Sequence, residues 1–227
     1  MTVNTLHILF RRGKSEHIQD LLQKGEIYIN TVDFIRDCDD NEERSDPHDC
    51  ILERNFLGKV KVKICDVGLD INNNGITLDA EDCVMIKDST IKGNIYCLSG
   101  IYTKELDDER EIIEFKTQSF GESVIVITSP REFIKRVETA LKEKGYEDIK
   151  YWPVEYFPND YSGNVGIFKK HEKFKHQNEF RFFISNTDNQ PIRLEIGSIE
   201  DIAIVRNGCA LKLELTDKRT KVILLPK

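Results

Sequence analysis

The stretch Lys175-His-Gln-Asn-Glu-Phe-Arg-Phe-Phe-Ile184 ends in an alternation of polar and aromatic residues. From Asn178 to Ile184 it reads as a β-strand. Successive side chains of a strand point to opposite faces, so Phe180, Phe182 and Ile184 share one side and Glu179 and Arg181 the other. Gln177, two positions before Glu179, is placed on the Glu179 side. The apolar side is expected to enter a core. The polar side reads either as an exposed strand face or as the lining of a cleft. Arg181 stands where it would pair with Glu179, either lowering its pKa for a chemical purpose or as a structural salt bridge.

Further strands are read on both sides of this stretch. Upstream, Leu6–Phe10 is an apolar strand, and a helix follows with Ser15 as N-cap, Ile18, Leu21 and Leu22 on one side and Gly25 as stop. Glu26–Asn30 is a second strand. Lys59–Cys65 alternates strictly, Ile91–Tyr102 reads as a central strand followed by a turn, and Ser123–Thr128 is apolar throughout. Ser129-Pro130 opens a helix carrying Phe133, Ile134, Val137 and Leu141 towards Gly145. Tyr151–Phe157 is strand-like, with Pro153 marking an edge, and Phe168–His176 is basic, either helical or irregular. Downstream, strands are read at Ile192–Ile196 and Leu211–Leu215, with another at Ile202–Val205. Strands outnumber helices and most connections are short, so the predicted class is α+β, a mixed and mostly antiparallel sheet with a few helices. No repeat, linker or composition break divides the chain, and residues 1–227 are read as a single domain.

Composition narrows the function. The chain has 227 residues, 39% of them hydrophobic and 32% charged, an ordinary globular balance. No apolar run approaches the ~20 residues of a membrane span, and the opening residues lack a secretory pattern. The expectation is a cytoplasmic protein with no membrane partner. Six cysteines, with no Cys-x-x-Cys pair, are expected to be free thiols in a reducing compartment. The net charge of −7 argues against phosphate-driven binding to a broad nucleic-acid surface.

Several enzyme signatures are missing from the sequence. There is no Gly-x-Ser-x-Gly elbow, no Walker phosphate loop and no Gly-x-Gly-x-x-Gly. His171 and His176 lie five apart, a poor spacing for one helix face, and no metal site is assigned. Asp70–Glu81 matches the calcium-loop template, but the alternating strand before it and Asn72-Asn-Asn-Gly75 point to a hairpin. The polar run Arg36–Cys50 reads as a solvated acidic loop, or as a loop over a pocket in which Arg36 or Arg44 clamps phosphate.

An early strand with His7 and Arg11, a central strand with Tyr96-Cys-Leu-Ser99 and a late strand with Gln177-x-Glu179 resemble the ADP-ribosyltransferase fold, in its Arg–Ser–Glu class. The strand–helix–Gly–strand opening resembles that of bacterial toxins of this class that modify nucleic acid. Cys97-Leu-Ser99 departs from the fuller Ser-Thr-Ser pattern. The resemblance implies an NAD-dependent mono-ADP-ribosyltransferase, a toxin or anti-phage defence effector, acting on a macromolecular acceptor, protein or nucleic acid. It gives Glu179 the nicotinamide ribose and the oxocarbenium-like charge, Gln177 the acceptor, and Ser99 a hydrogen bond to Glu179 or the ribose. Arg11 or Arg12 would clamp the pyrophosphate. Tyr102 is either a stacking partner for nicotinamide or a packed strand-end tyrosine. His7 either binds NAD+ or is a core residue. Two rival readings are a non-catalytic interaction module of a defence or toxin–antitoxin cassette, and a metal-dependent nuclease built on Asp39, Asp40, Glu42 and Asp46.

Overall fold

The computed structural model describes residues 5–37, 46–64, 76–88, 91–103, 120–207, 210–216 and 219–225. In chain order the first half runs β1 (Leu6–Gly13), α1 (Ser15–Lys24), β2 (Glu26–Thr31), α2 (Val32–Asp37), β3 (Glu53–Ile64), β4 (Ile76–Lys87) and β5 (Gly93–Tyr102). There follow β6 (Ser123–Ile127), α3 (Pro130–Glu143), β7 (Ile149–Pro153), β8 (Glu155–Phe157), β9 (Gly163–Asn164) and β10 (Lys169–His171). A 3-10 helix (Glu172–Gln177) leads into β11 (Glu179–Ser185), and β12 (Ile192–Glu195), β13 (Ala203–Asn207), β14 (Ala210–Thr216) and β15 (Arg219–Leu225) complete the described elements. This is the mixed, mostly antiparallel α+β class expected from the sequence.

The strand β5 is long because Gly93-Asn-Ile-Tyr-Cys-Leu-Ser-Gly-Ile-Tyr102 is apolar or small on both sides, which suits a central strand. It is where an eight-stranded sheet branches. On one side it pairs with β11, which in turn pairs with β7 at the sheet edge. On the other side its C-terminal half pairs with β1, followed by β6 and β13, while its N-terminal end meets β2 and, through it, β12. All of these pairings are antiparallel. Pro153 lies in the edge strand, where a missing amide donor is tolerated.

Helices cover one face of this sheet. Ile18 and Leu21 of α1 and Phe133, Val137 and Leu141 of α3 pack onto Leu9, Tyr96, Leu98, Ile125, Phe180 and Phe182. Each of these side chains leaves water almost completely, contributing ~1.5–3 kcal/mol apiece. Ser15 is the first residue of α1 and not its cap; its amide and hydroxyl donate to the Glu122 carboxylate, at 2.8 and 3.0 Å, so a residue distant in sequence does the capping. The stop is as expected: Gly25 has φ +67°, and a Cβ there would meet the Gly197 carbonyl oxygen at 2.1 Å. Pro130 opens α3.

The opposite face is covered by shorter pieces. Val32, Cys50, Ile95 and Phe183 form a small core beneath it, and Ile51, Phe157 and Val165 form another. Residues predicted as loop at 36–37 close α2, a helical turn that begins at Val32. The second half of the calcium template, Ile76–Glu81, lies in β4, which pairs antiparallel with β3; Glu81 is held by Lys59 at 2.6 Å, and residues 65–75, which include the predicted turn, lie outside the described set. The two strands form a ribbon joined at its base to β9 through Glu53 and Arg54. Cys50, Cys83 and Cys97 are free thiols; Cys38, Cys65 and Cys209 lie outside the described residues. No helix among the described residues is long and apolar enough to cross a membrane.

Candidate functional site

Directly opposed residues of an antiparallel pair project to the same face. Glu179 stands opposite Ser99, and Arg181 opposite Cys97. Ser99 in turn stands opposite Phe10 of β1, so alternation places Arg12 on the Glu179 face and Arg11 on the helix-covered face. The late carboxylate and the central serine thus share one face with an early arginine, and that arginine is Arg12. Arg11 goes elsewhere: its guanidinium lies 4.6 Å over the Tyr96 ring and donates to the Cys97 carbonyl at 2.6 Å.

Glu179 belongs to a group of five buried ionisable side chains, with Asp46, Asp49, Lys170 and Arg181. Arg181, only 1% exposed, forks onto Asp49 with bonds of 2.8 and 3.0 Å, a bidentate pairing that suits a planar guanidinium. Its Nε donates to Glu179 Oε1 at 3.0 Å, and it also reaches the Ile167 carbonyl at 2.6 Å. Lys170 Nζ lies 3.5 Å from Glu179 Oε2 and 3.8 Å from Asp49, and donates to the Gln177 amide oxygen at 3.1 Å. The Phe174 ring lies beneath Lys170, 4.4 Å from its nitrogen. The Tyr156 hydroxyl accepts the Glu179 backbone amide at 2.8 Å.

These contacts decide the protonation of the cluster. Burial by itself pushes the Glu179 carboxyl up; the facing charges of Arg181 and Lys170, with hydrogen bonds from the Cys97 thiol and Arg181, overturn this and hold it at about 2. Burial likewise opposes charge on Lys170, yet Glu179 and Asp49 raise its pKa above the ordinary value. Burial and the Glu179 charge push the Cys97 thiol and the Tyr156 hydroxyl well up, so neither is a ready nucleophile or base. Asp46 is also raised, first by burial and then by Asp49. The cluster therefore holds an ionised carboxylate clamped by two cations, in surroundings that weaken Cys97, Tyr156 and Asp46 as acids.

The expected pairing of Glu179 with Arg181 is present, and its partners extend further than the sequence suggested. Gln177 joins Glu179 by a different route from the one predicted. It ends the 3-10 helix, and Asn178, with φ +42°, turns the backbone before β11 begins, so the two residues are not neighbours on one strand. They meet through Lys170 instead. Both are buried, so the polar side of β11 is neither an exposed face nor an open groove among the described residues.

Other candidates lie apart from this cluster. Tyr102 is buried on the helix-covered side of β5 with its ring packed over Gly100, the strand-end packing that was one of its two readings. The His7 ring bonds the Thr103 hydroxyl at 3.0 Å, at the other end of β1 beside an irregularity in the ladder. Arg36, at the end of α2, pairs with Asp88 at 2.9 Å. Arg44, Asp39, Asp40 and Glu42 lie outside the described residues. Among the described residues no group of three His, Cys, Asp or Glu is arranged to hold a metal ion.

Sequence reasoning missed Asp49 and Lys170. Asp49 sits in the most polar run of the chain and Lys170 in a basic one, where single residues do not stand out from their neighbours. The one local signal was Asp46-Pro-His48, a turn in which Asp46 Oδ1 accepts the His48 amide at 3.1 Å and brings Asp49 inward. The chain matches no protein-family model, no curated protein and no solved structure.

Proposed function

We propose that the chain is an NAD-dependent mono-ADP-ribosyltransferase of the Arg–Ser–Glu kind, acting on a protein or nucleic-acid acceptor, with Glu179 at the centre of its chemistry. The observation that carries this reading is the strand register that sets Ser99 opposite Glu179, on the face that also bears Arg12. The ionised state of Glu179 supports it as well. In such a reaction the bond from the ribose anomeric carbon to nicotinamide breaks, a bond to the acceptor forms, and the acceptor loses a proton. The carboxylate of Glu179 would accept a ribose hydroxyl and favour the positive charge that develops only in the transition state. Ser99 would hydrogen-bond Glu179 or the ribose, Gln177 would orient the acceptor, and Arg12 would bind the pyrophosphate as a planar donor. The toxin or defence role belongs to the same proposal.

The test is transfer of label from NAD+ to a macromolecule in cell extract. Wild type is expected to label, and Ser99→Ala and Glu179→Ala are expected not to; the Ser99 variant separates chemistry from folding, since Ser99 carries no buried charge. Labelling that survives both substitutions sinks the site assignment, and no labelling by wild type sinks the enzyme.

A second reading, a non-catalytic interaction module of a defence or toxin–antitoxin cassette, is favoured by one observation. Glu179 is only 5% exposed, and both its oxygens are engaged by Arg181 and Lys170. In that case the cluster fixes the fold and NAD+ does not bind. A melting temperature that stays flat up to millimolar NAD+ supports this module, because a ligand that binds only the folded state has to raise it.

A further inference from the structure

Gln177 and Glu179 have different tasks in the proposed reaction, the first orienting the acceptor and the second stabilising the ribosyl charge. Capture needs these side chains in a fixed relation, because an attacking atom reacts only from the correct distance and direction. Strand alternation does not supply that relation, since Asn178, with φ +42°, turns the backbone between them. Lys170 bridges them. Its ammonium donates to Gln177 Oε1 at 3.1 Å and lies 3.5 Å from Glu179 Oε2 and 3.8 Å from Asp49 Oδ2, so three N–H groups face three oxygens. Several elements fix this bridge. Lys170 lies on β10 in register with Tyr156 of β8, whose hydroxyl accepts the Glu179 amide at 2.8 Å. Gln177 closes the 3-10 helix that follows β10, so the ammonium ties the far end of that helix back to the strand. The His171 ring holds the near end by accepting the Lys173 amide at 3.2 Å, and the Phe174 ring of the same helix lies 4.4 Å from the ammonium.

We infer that Lys170 is a positioning residue, which sets the Gln177 amide against the Glu179 carboxylate and so decides that a bound macromolecule, not water, captures the ribosyl group. The inference rests on the enzymatic reading above. With either acceptor the bond from the anomeric carbon to nicotinamide breaks, and its electron pair leaves on the nicotinamide nitrogen. The anomeric carbon then bonds to the acceptor atom or to a water oxygen, and the attacking group releases one proton. Glu179 serves the first event, and Arg181 holds that carboxylate from its own strand whether or not Lys170 is there. Only capture by a macromolecule needs Gln177 in place. Lys170 acts on that second event, and it acts through Gln177.

Two products of labelled NAD+, measured with the full chain and the macromolecules of a cell extract against a blank without the chain, test it. Released nicotinamide counts every cleavage, and label on macromolecules counts transfer alone. Lys170→Met keeps the length of the side chain without its charge. It is expected to lower transfer about a hundredfold, while cleavage falls less than about tenfold and KM for NAD+ stays within about twofold. Lys170→Arg keeps the buried charge and serves where the Met variant does not fold. Its planar fork does not occupy the point held by an ammonium, so the same shift from transfer to cleavage is expected. Gln177→Ala is expected to show this shift too, and combining it with Lys170→Met should lower transfer no further, because one residue acts through the other. Transfer and cleavage that fall in equal proportion in a folded Lys170 variant overturn the inference. So does a double variant whose loss is the product of the two single losses. A wild type that releases no nicotinamide removes the enzymatic reading and this inference together; a wild type that transfers, beside Lys170 variants of unaltered ratio, removes the inference alone.

Discussion

On β11, Phe180 and Phe182 face one side of the sheet while Glu179 and Arg181 face the other, and all four are buried. The aromatic side is held by packing against α3 and β5, with Phe182 set edge-on to Phe133 at 6.4 Å between ring centres. Its stabilisation follows from area removed from water and needs no particular partner. The charged side is held only because each charge meets an opposite one. Take away a packing residue and a cavity remains; take away a charge and its partner is stranded in the interior. One strand therefore carries two kinds of stability with different vulnerabilities.

Substitutions on that strand probe the difference. Arg181→Leu leaves Asp49 and Glu179 buried with Lys170 alone, and is expected to cost about 3–5 kcal/mol in urea unfolding. A loss below about 1 kcal/mol would mean that water takes over the role of the guanidinium, and the contrast between the faces would fail. Phe182→Ala is expected to cost a similar amount, about 3–5 kcal/mol, but with no dependence on pH across the acid range.

Acid titration separates the two sides more sharply. The Glu179 pKa lies at about 2 in the folded chain against an ordinary 4.5. A carboxyl depressed in this way stabilises the fold above its unfolded pKa and loses that contribution as pH falls from 4.5 towards 2. The shift amounts to something on the order of 3 kcal/mol. Glu179→Gln should flatten the stability profile over that window; a profile as steep as that of wild type would place the acid sensitivity in other carboxylates.

Smaller effects complete the series. Ser99→Ala should change stability by less than about 1 kcal/mol, although it abolishes transfer if the proposed activity is correct. On the exposed ribbon, where neither kind of burial operates, Lys59→Ala should cost no more than about 0.5–1 kcal/mol. A larger loss at Lys59 would show that the Lys59–Glu81 pair holds the ribbon together.

Much of the strand pattern was legible because it is local. The alternation of Asn178–Ile184, the apolar run at Ser123–Thr128 and Pro130 at the head of a helix each declare themselves within a few residues. Local reading failed where a partner came from far away. Ser15 looked like a cap because serine often caps, yet Glu122 supplies the oxygen. Gln177 was set beside Glu179 on a strand because nothing in the sequence reveals that Asn178 adopts a left-handed turn. The choice between Arg11 and Arg12 needed the register of β1 on β5, which two adjacent arginines cannot supply.

The sequence by itself determined that Glu179 and Arg181 share a side and that Phe180 and Phe182 take the other, because a strand repeats every two residues wherever it is placed. It also determined that the β3 ribbon has an apolar side. Only the tertiary structure decided that Lys170 joins Arg181 at that carboxylate, so that it stays ionised in the interior, that Asp49 takes the other side of the guanidinium, and that the apolar side of the ribbon stays in water. Burial and ion pairing are properties of whatever packs against a residue, and here those neighbours lie as far as 132 positions along the chain.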